Sequence, residues 1–139
     1  MKAVNITIRT RQMLDGETLE FKQEAPGMLE ENDHGFLLHY QEKDESGMTT
    51  DTSLLLCGTH ASLKRTGAVK SEMRFQENTS YSFPYHTPYG TFSLTLATSY
   101  LRHTMTERGG KVMIRYTLSA QEQLMGEYTL KLHITEKDD

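Results

Sequence analysis

Glu127-Tyr128-Thr129-Leu130-Lys131-Leu132-His133-Ile134-Thr135 is the plainest β-strand in the chain. Its apolar residues occupy even positions and its Thr, Lys and His residues odd ones, and side chains alternate faces with a period of two only along extended backbone. Working back toward the N-terminus, the same even-numbered code recurs at Val112-Ile114-Tyr116-Leu118, at Phe92-Leu94-Leu96 and at Val4-Ile6-Ile8. Each of these stretches therefore has one face for a core and one face for water.

Turn chemistry sets the remaining boundaries. A first strand over about residues 2–13 stops at Leu14-Asp15-Gly16-Glu17, an Asp-Gly pair of the kind that closes hairpins. A second strand follows with Leu19, Phe21 and Gln23 directed inward. Pro26-Gly27 interrupts it, since a residue without an N–H demands a bulge or an edge position. Glu30-Glu31-Asn32-Asp33 is a polar turn, and Phe36, Leu38 and Tyr40 share one face of a third strand that ends in Lys43-Asp44-Glu45-Ser46-Gly47. Residues 48–57 form a fourth, while Ala61-Leu63-Arg65 and Val69-Ser71-Met73-Phe75 suggest two more folded about Thr66-Gly67-Ala68. Turns at Glu77-Asn78-Thr79-Ser80, Thr87-Pro88-Tyr89-Gly90 and Glu107-Arg108-Gly109-Gly110 lead into the last strands, and only Ala120–Met125 looks helical.

The chain is thus expected to be all-β, one domain over residues 1–139, an antiparallel meander of about ten strands with at most one short helix. Long strands joined by short turns must dispose of their edges. Closure into a single β-barrel of about 8–10 strands does so, whereas a two-sheet sandwich would bring shorter strands and longer crossovers.

Composition narrows the class further. With 36% hydrophobic and 24% charged residues the chain is an ordinary, somewhat polar globular sequence, and 15 Lys+Arg against 19 Asp+Glu leave a net charge of -4. That balance offers nucleic acid or an anionic membrane no bulk attraction, so neither is expected as a partner. The longest aliphatic run, Leu54-Leu55-Leu56, is far short of the roughly 20 residues a membrane helix needs. A single cysteine, Cys57, excludes an intrachain disulfide and reads as a buried thiol. Met1-Lys2-Ala3-Val4 enters the first strand without an apolar export region, and a cytoplasmic location is expected.

Three short motifs carry a resemblance. Tyr85-His86-Thr87-Pro88-Tyr89-Gly90, with Arg65-Thr66-Gly67 before it and Gly109-Gly110-Lys111 leading into Ile114-Arg115-Tyr116-Thr117-Leu118 after it, resembles the YwiB-like family of small bacterial proteins. The likeness spans nearly the whole chain. It implies a calycin-like, lipocalin-like barrel and a bacterial cytoplasmic setting, and it carries over no substrate and no catalytic residue. Lipocalins proper close one barrel end with a Trp packed on a late basic residue. This chain has no Trp, so its closure must be built differently.

Parity singles out the residues that could carry chemistry. Arg65 falls on the face of Ala61 and Leu63, where a guanidinium must find a carboxylate, backbone carbonyls, the barrel mouth or a ligand anion. Tyr40, Tyr100 and Tyr116 lie on the same inferred face, with Thr98 between Leu96 and Tyr100 and Arg102 beyond, and tyrosine serves a ligand or a tapered core equally well. His39, His103 and His133 fall outward, no pair has the His-x-x-x-His spacing of a helical zinc site, and neither a metal nor another cofactor is expected. His86, between Tyr85 and Tyr89, could act as a base or axial ligand, though a polar residue shaping a hairpin is the commoner case. Lys64, Arg65, Lys70 and Arg74 lack the interleaved aromatics of a nucleic-acid surface.

No nucleophile, base and orienter can be named together, so no catalytic residue is assigned. The leading expectation is a non-enzymatic barrel binding a small amphipathic or anionic molecule in a partly polar lumen, with Arg65, Tyr40, Tyr100, Tyr116, Arg102 and His86 as candidate ligand-binding residues. The second is an interaction or homodimer module that uses its outer wall or an edge at Pro26 or Pro84.

Overall fold

The structure is a computed structural model describing residues 1–43, 46–67 and 70–137. The strands are β1 (Lys2–Leu14), β2 (Glu17–Asn32), β3 (Gly35–Lys43), β4 (Thr49–Cys57), β5 (His60–Gly67), β6 (Ser71–Gln76), β7 (Thr79–Thr87), β8 (Gly90–His103), β9 (Gly109–Ala120) and β10 (Gln123–Glu136). They form one antiparallel sheet in the order β6-β5-β4-β3-β2-β1-β10-β9-β8-β7, a meander whose single long-range join is β1 with β10. No helix occurs among the described residues.

The sheet curls until its two ends meet. Lys70 and His86 exchange two backbone hydrogen bonds of 3.0 Å, and further along the seam a side chain replaces the ladder. There the Tyr81 hydroxyl accepts the Arg74 N–H and donates to the Glu72 carbonyl at 3.3 Å. The result is a nearly closed barrel with one core. All ten strands feed that core, and Val4, Leu54, Leu63, Leu96 and Ile114 are completely buried within it.

At one end the connection between β8 and β9 folds under the barrel. Met105 is buried there among the core residues, and the Glu77 carboxylate accepts the Leu101 N–H at 3.0 Å and pairs with Arg102. Gly109 lets β9 start against β10: at its φ of +125° a Cβ would lie 2.3 Å from the Ile134 carbonyl oxygen. This end is closed by Met105, Glu77 and the close approach at Gly109, without a Trp. The opposite end receives the long β1–β2, β7–β8 and β9–β10 hairpins.

Several expectations are corrected. The segment Ala120–Met125 is a hairpin, not a helix: Gln121 and Glu122 take left-handed φ values of 52° and 65°, and Ala120 pairs with Gln123. Asp15-Gly16 closes β1–β2 in the expected way, with Leu14 opposite Glu17. Leu19 and Phe21 keep the inward parity of Ala25 and Leu29 but are 55% and 58% exposed, because β2 runs past the core at the open end. Cys57 is half-buried at the end of β4, on the face opposite Leu54 and Leu56. Val69 and Ala68 lie outside the described residues.

Of the bulge or edge position that Pro26 demands, it takes the edge. The β2–β3 ladder covers only Gly27–Asn32 against Tyr40–Gly35, so residues 17–26 of β2 pair with β1 alone and the two strands diverge. Gly27 sits where they part, packed so closely that a Cβ would lie 2.6 Å from the His39 carbonyl oxygen. A cleft of about 710 Å³ opens at the divergence, lined by Pro26, Tyr40 and Thr52 among others.

Candidate functional site

Inward side chains near the open end make a polar cluster in the interior. Arg65 on β5, Thr52 on β4 and Tyr40 on β3 stand directly opposite one another across three neighbouring strands. Glu42, two residues on from Tyr40 and therefore on the same face, supplies the carboxylate that the partly buried guanidinium requires. Its Oε1 accepts from Thr52 Oγ1 at 2.7 Å and from Arg65 Nε at 3.2 Å.

Aromatic residues wall this group. Tyr116 is 5.1 Å from Phe75 between ring centroids and stacks on Tyr128 at 5.2 Å with the planes 10° apart. The Tyr128 hydroxyl accepts from Gln12 Nε2 at 3.2 Å. Tyr40 and Tyr116 are buried, and both lie within the field of Arg65 and Glu42.

The electrostatics follow from that burial. Desolvation raises the Tyr40 phenol well above its ordinary value, with Glu42 adding and Arg65 opposing. Burial likewise pushes Tyr116 up to about 12 against the pull of Arg65. Both phenols are neutral at physiological pH and can donate or accept a hydrogen bond but not serve as bases. Burial works against the Arg65 charge, but Glu42 and the two phenols more than offset it and hold the guanidinium above its usual value.

Two hydroxyls border the cluster without a hydrogen-bond partner among the described residues. Ser71 Oγ is buried directly opposite Arg65 in the β5–β6 ladder, and Thr98 Oγ1 is buried opposite Tyr116 in the β8–β9 ladder. Buried polar atoms of this kind are uncommon in native folds. The rim above is apolar, with Phe92 half-exposed on the inner parity of Leu94 and Leu96, and Leu19 and Phe21 on that of Ala25.

Of the six candidate residues, three come together here: Arg65, Tyr40 and Tyr116. Tyr100 and Arg102 do not. A β-bulge between Thr98 and Tyr100 inserts one residue, so Thr98 and Leu101 point inward while Tyr100 and Arg102 turn to the outer wall. There the Arg102 and Arg115 guanidinium carbons lie 5.1 and 5.4 Å from the Tyr100 ring centroid. The same flip carries His103 toward the closed end, where Nε2 donates to the Gly58 carbonyl at 3.2 Å. His86 is also outside the lumen. Its Nδ1 bonds Thr91 Oγ1 at 2.8 Å and its backbone seals the seam with Lys70, which is a structural role.

Parity already contained the residues that were missed. Glu42 continues the even face of Phe36, Leu38 and Tyr40, and Thr52 that of Leu54 and Leu56. Among the described residues no three His, Cys, Asp or Glu side chains converge to hold a metal, and no helix is long and apolar enough to cross a membrane.

The barrel has a solved counterpart. The crystal structure of ywiB protein from Bacillus subtilis is similar with a TM-score of 0.81 over 99% of this chain and 93% of that one, at 19% identity, a likeness of fold alone. No curated protein matches the chain. Residues 6–132 match the family model described as Domain of unknown function (DUF1934), a span that runs from within β1 to within β10 and so takes in every strand and the whole polar cluster. A match of that extent, on a fold shared with ywiB, makes this chain a member of the DUF1934 family.

Proposed function

We propose that the open end of the barrel is a non-enzymatic binding site for a small amphipathic molecule, its polar group set against Arg65, Glu42, Tyr40 and Tyr116 and its apolar part against the rim. The observation that carries this reading is the Ser71 hydroxyl, buried opposite Arg65 and without a partner among the described residues, in a barrel whose open-end hairpins carry the half-exposed Phe92, Leu19 and Phe21. Glu42 already balances the guanidinium, so a simple anion gains little there, and a headgroup with both donors and acceptors suits the site better. The filled core limits the guest to the upper barrel. A single cysteine agrees with a reducing, cytoplasmic setting.

Medium-chain fatty acids, fatty alcohols and monoacylglycerols form the panel for thermal shift and calorimetry. At least one neutral or zwitterionic amphiphile is expected to raise the melting temperature, and Phe92→Ser to weaken its binding about tenfold by removing apolar contact. A flat panel with the wild type rejects the reading.

A second reading has its own support in the unpaired edge of β2. Residues 17–26 present free backbone groups beside exposed Leu19 and Phe21, and such an edge is a template for another strand. Antiparallel pairing of two copies centred on Phe21 sets Glu20 opposite Lys22 twice, which is self-complementary. Light scattering is then expected to give about twice the 15.9 kDa chain mass, and Phe21→Lys to return it to the single-chain value. Monomeric wild type at roughly 100 μM, a concentration at which a micromolar interface saturates, removes this alternative.

A further inference from the structure

The outer wall of β1, β10, β9 and β8 is basic although the chain as a whole is acidic. β1, β8 and β9 carry Lys2, Arg9, Arg11, Arg102, Lys111 and Arg115 and not one carboxylate, and the acids of β10 stand near its ends at Glu127 and Glu136. These three strands and β10 are neighbours in the sheet, so segregation along the sequence becomes a patch on the surface.

Register concentrates that charge. Lys22 pairs with Arg9 across β2–β1, Arg9 with Lys131 across β1–β10, Lys131 with Met113, and Met113 with Arg102. Three cations thus stand directly opposite one another on three adjacent strands. At about 4.8 Å between strands the whole row is roughly 19 Å long. Like charges placed directly opposite destabilise a sheet, and Arg9, Lys131, Lys111 and Arg115 have no carboxylate partner among the described residues. Clefts of about 450 and 560 Å³ flank the row and share Arg9, Lys22 and Lys131 in their linings. Tyr100, with Arg102 and Arg115 against its ring, stands at the far end.

We infer that this wall binds the phosphodiester backbone of a single-stranded nucleic acid. Arg9 and Lys131 stand unpaired at the centre of this row, between Lys22 and Arg102, which are paired with Glu24 and Glu77, and cations lined up beside an aromatic residue are the usual equipment of single-strand binding. Among the described residues no helix is available to enter a duplex groove, and the exposed large apolar side chains of these strands, Met13, Phe92, Leu124 and Met125, sit at the hairpin ends of the strands and not along the row, where a lipid surface would need them. The overall charge of -4 does not oppose this, because screening confines each charge to about 10 Å at ordinary salt.

Fluorescence anisotropy with labelled twelve-nucleotide oligouridylate and oligothymidylate tests it, the two arms separating RNA from DNA. Binding by either is expected at 50 mM salt, falling steeply as salt rises with a logarithmic slope near -3 for about four phosphate contacts. The double variant Arg9→Glu/Lys131→Glu is expected to lose at least tenfold in affinity while melting no lower than the wild type, since it also relieves the like-charge row. Lys64→Glu/Arg74→Glu, on the seam side of the barrel, is expected to change affinity less than twofold. Absence of binding at 50 mM salt overturns the inference, as does undiminished binding by Arg9→Glu/Lys131→Glu. Equal or tighter binding of poly-glutamate, or of phosphatidylglycerol vesicles, overturns it in favour of an acidic protein or a membrane.

Discussion

Replacing Phe75 by Ala is expected to lower the free energy of unfolding by about 4 kcal/mol. The side chain is 1% exposed, the largest of those fully buried, and its ring meets Tyr116 across the interior at a tilted 56°. Truncation removes the transfer energy of the ring, leaves a cavity that the surrounding strands can close only in part, and forfeits the aromatic contact. The position magnifies the loss. β6 is a terminal strand of the sheet, laddered only to β5, and beyond that it is held by the Lys70–His86 bridge and the Tyr81 hydroxyl. Phe75→Leu keeps most of the volume and is expected to cost about 1 kcal/mol. Urea denaturation measures both. A loss below about 1.5 kcal/mol for the Ala variant, under the range for a packed aromatic, would mean that the interior is not filled as described.

Glu42→Ala comes second, with an expected loss of about 2 kcal/mol. Removing one member of a fully buried ion pair costs about 3–5 kcal/mol, because the other charge is left uncompensated. Here the side chains of Arg65 and Glu42 keep 23% and 25% of their exposure, and water screens part of that penalty. Thr52 loses its acceptor in the same variant. The double variant Glu42→Leu/Arg65→Met removes both charges and is expected to come back to within about 1 kcal/mol of the wild type, as apolar replacements of ion pairs commonly do. Simple additivity of the single variants, read from a double-mutant cycle, contradicts the pairing. This cycle needs no ligand, so it tests the site's architecture separately from what the site holds.

Much of the architecture was legible in advance, and the reason is locality. Period-two alternation at Glu127–Thr135 and the Asp15-Gly16 turn depend on nearest neighbours, so strand identity and hairpin order can be read from single stretches. Pro26 announced a bulge or an edge because a missing N–H is a property of one residue. Gln121-Glu122 misled because neither residue is a preferred left-handed turn former. The β9–β10 pairing on either side imposes a conformation that the two residues would not choose by themselves.

Parity tells which face a side chain takes, not how far along the barrel it lies. Leu19 and Phe21 share the face of Ala25, yet β2 has by then outrun the core, and depth is set by the register of strands far apart in sequence. Parity also fails across an inserted residue: one bulge in β8 sends Tyr100 and Arg102 outside, and bulges arise from pairing between strands, which alternation does not encode.

By itself, then, the sequence determined the strands, most of the turns and the need of Arg65 for a partner, because these rest on backbone periodicity, turn stereochemistry and the cost of an isolated charge. Only the tertiary structure decided that the partner is Glu42, that the barrel is closed below and holds a polar cluster within an apolar rim above, and that Lys22, Arg9 and Lys131 stand in one row. Those outcomes depend on which distant strands hydrogen-bond and in what register, a choice made by the closed sheet as a whole.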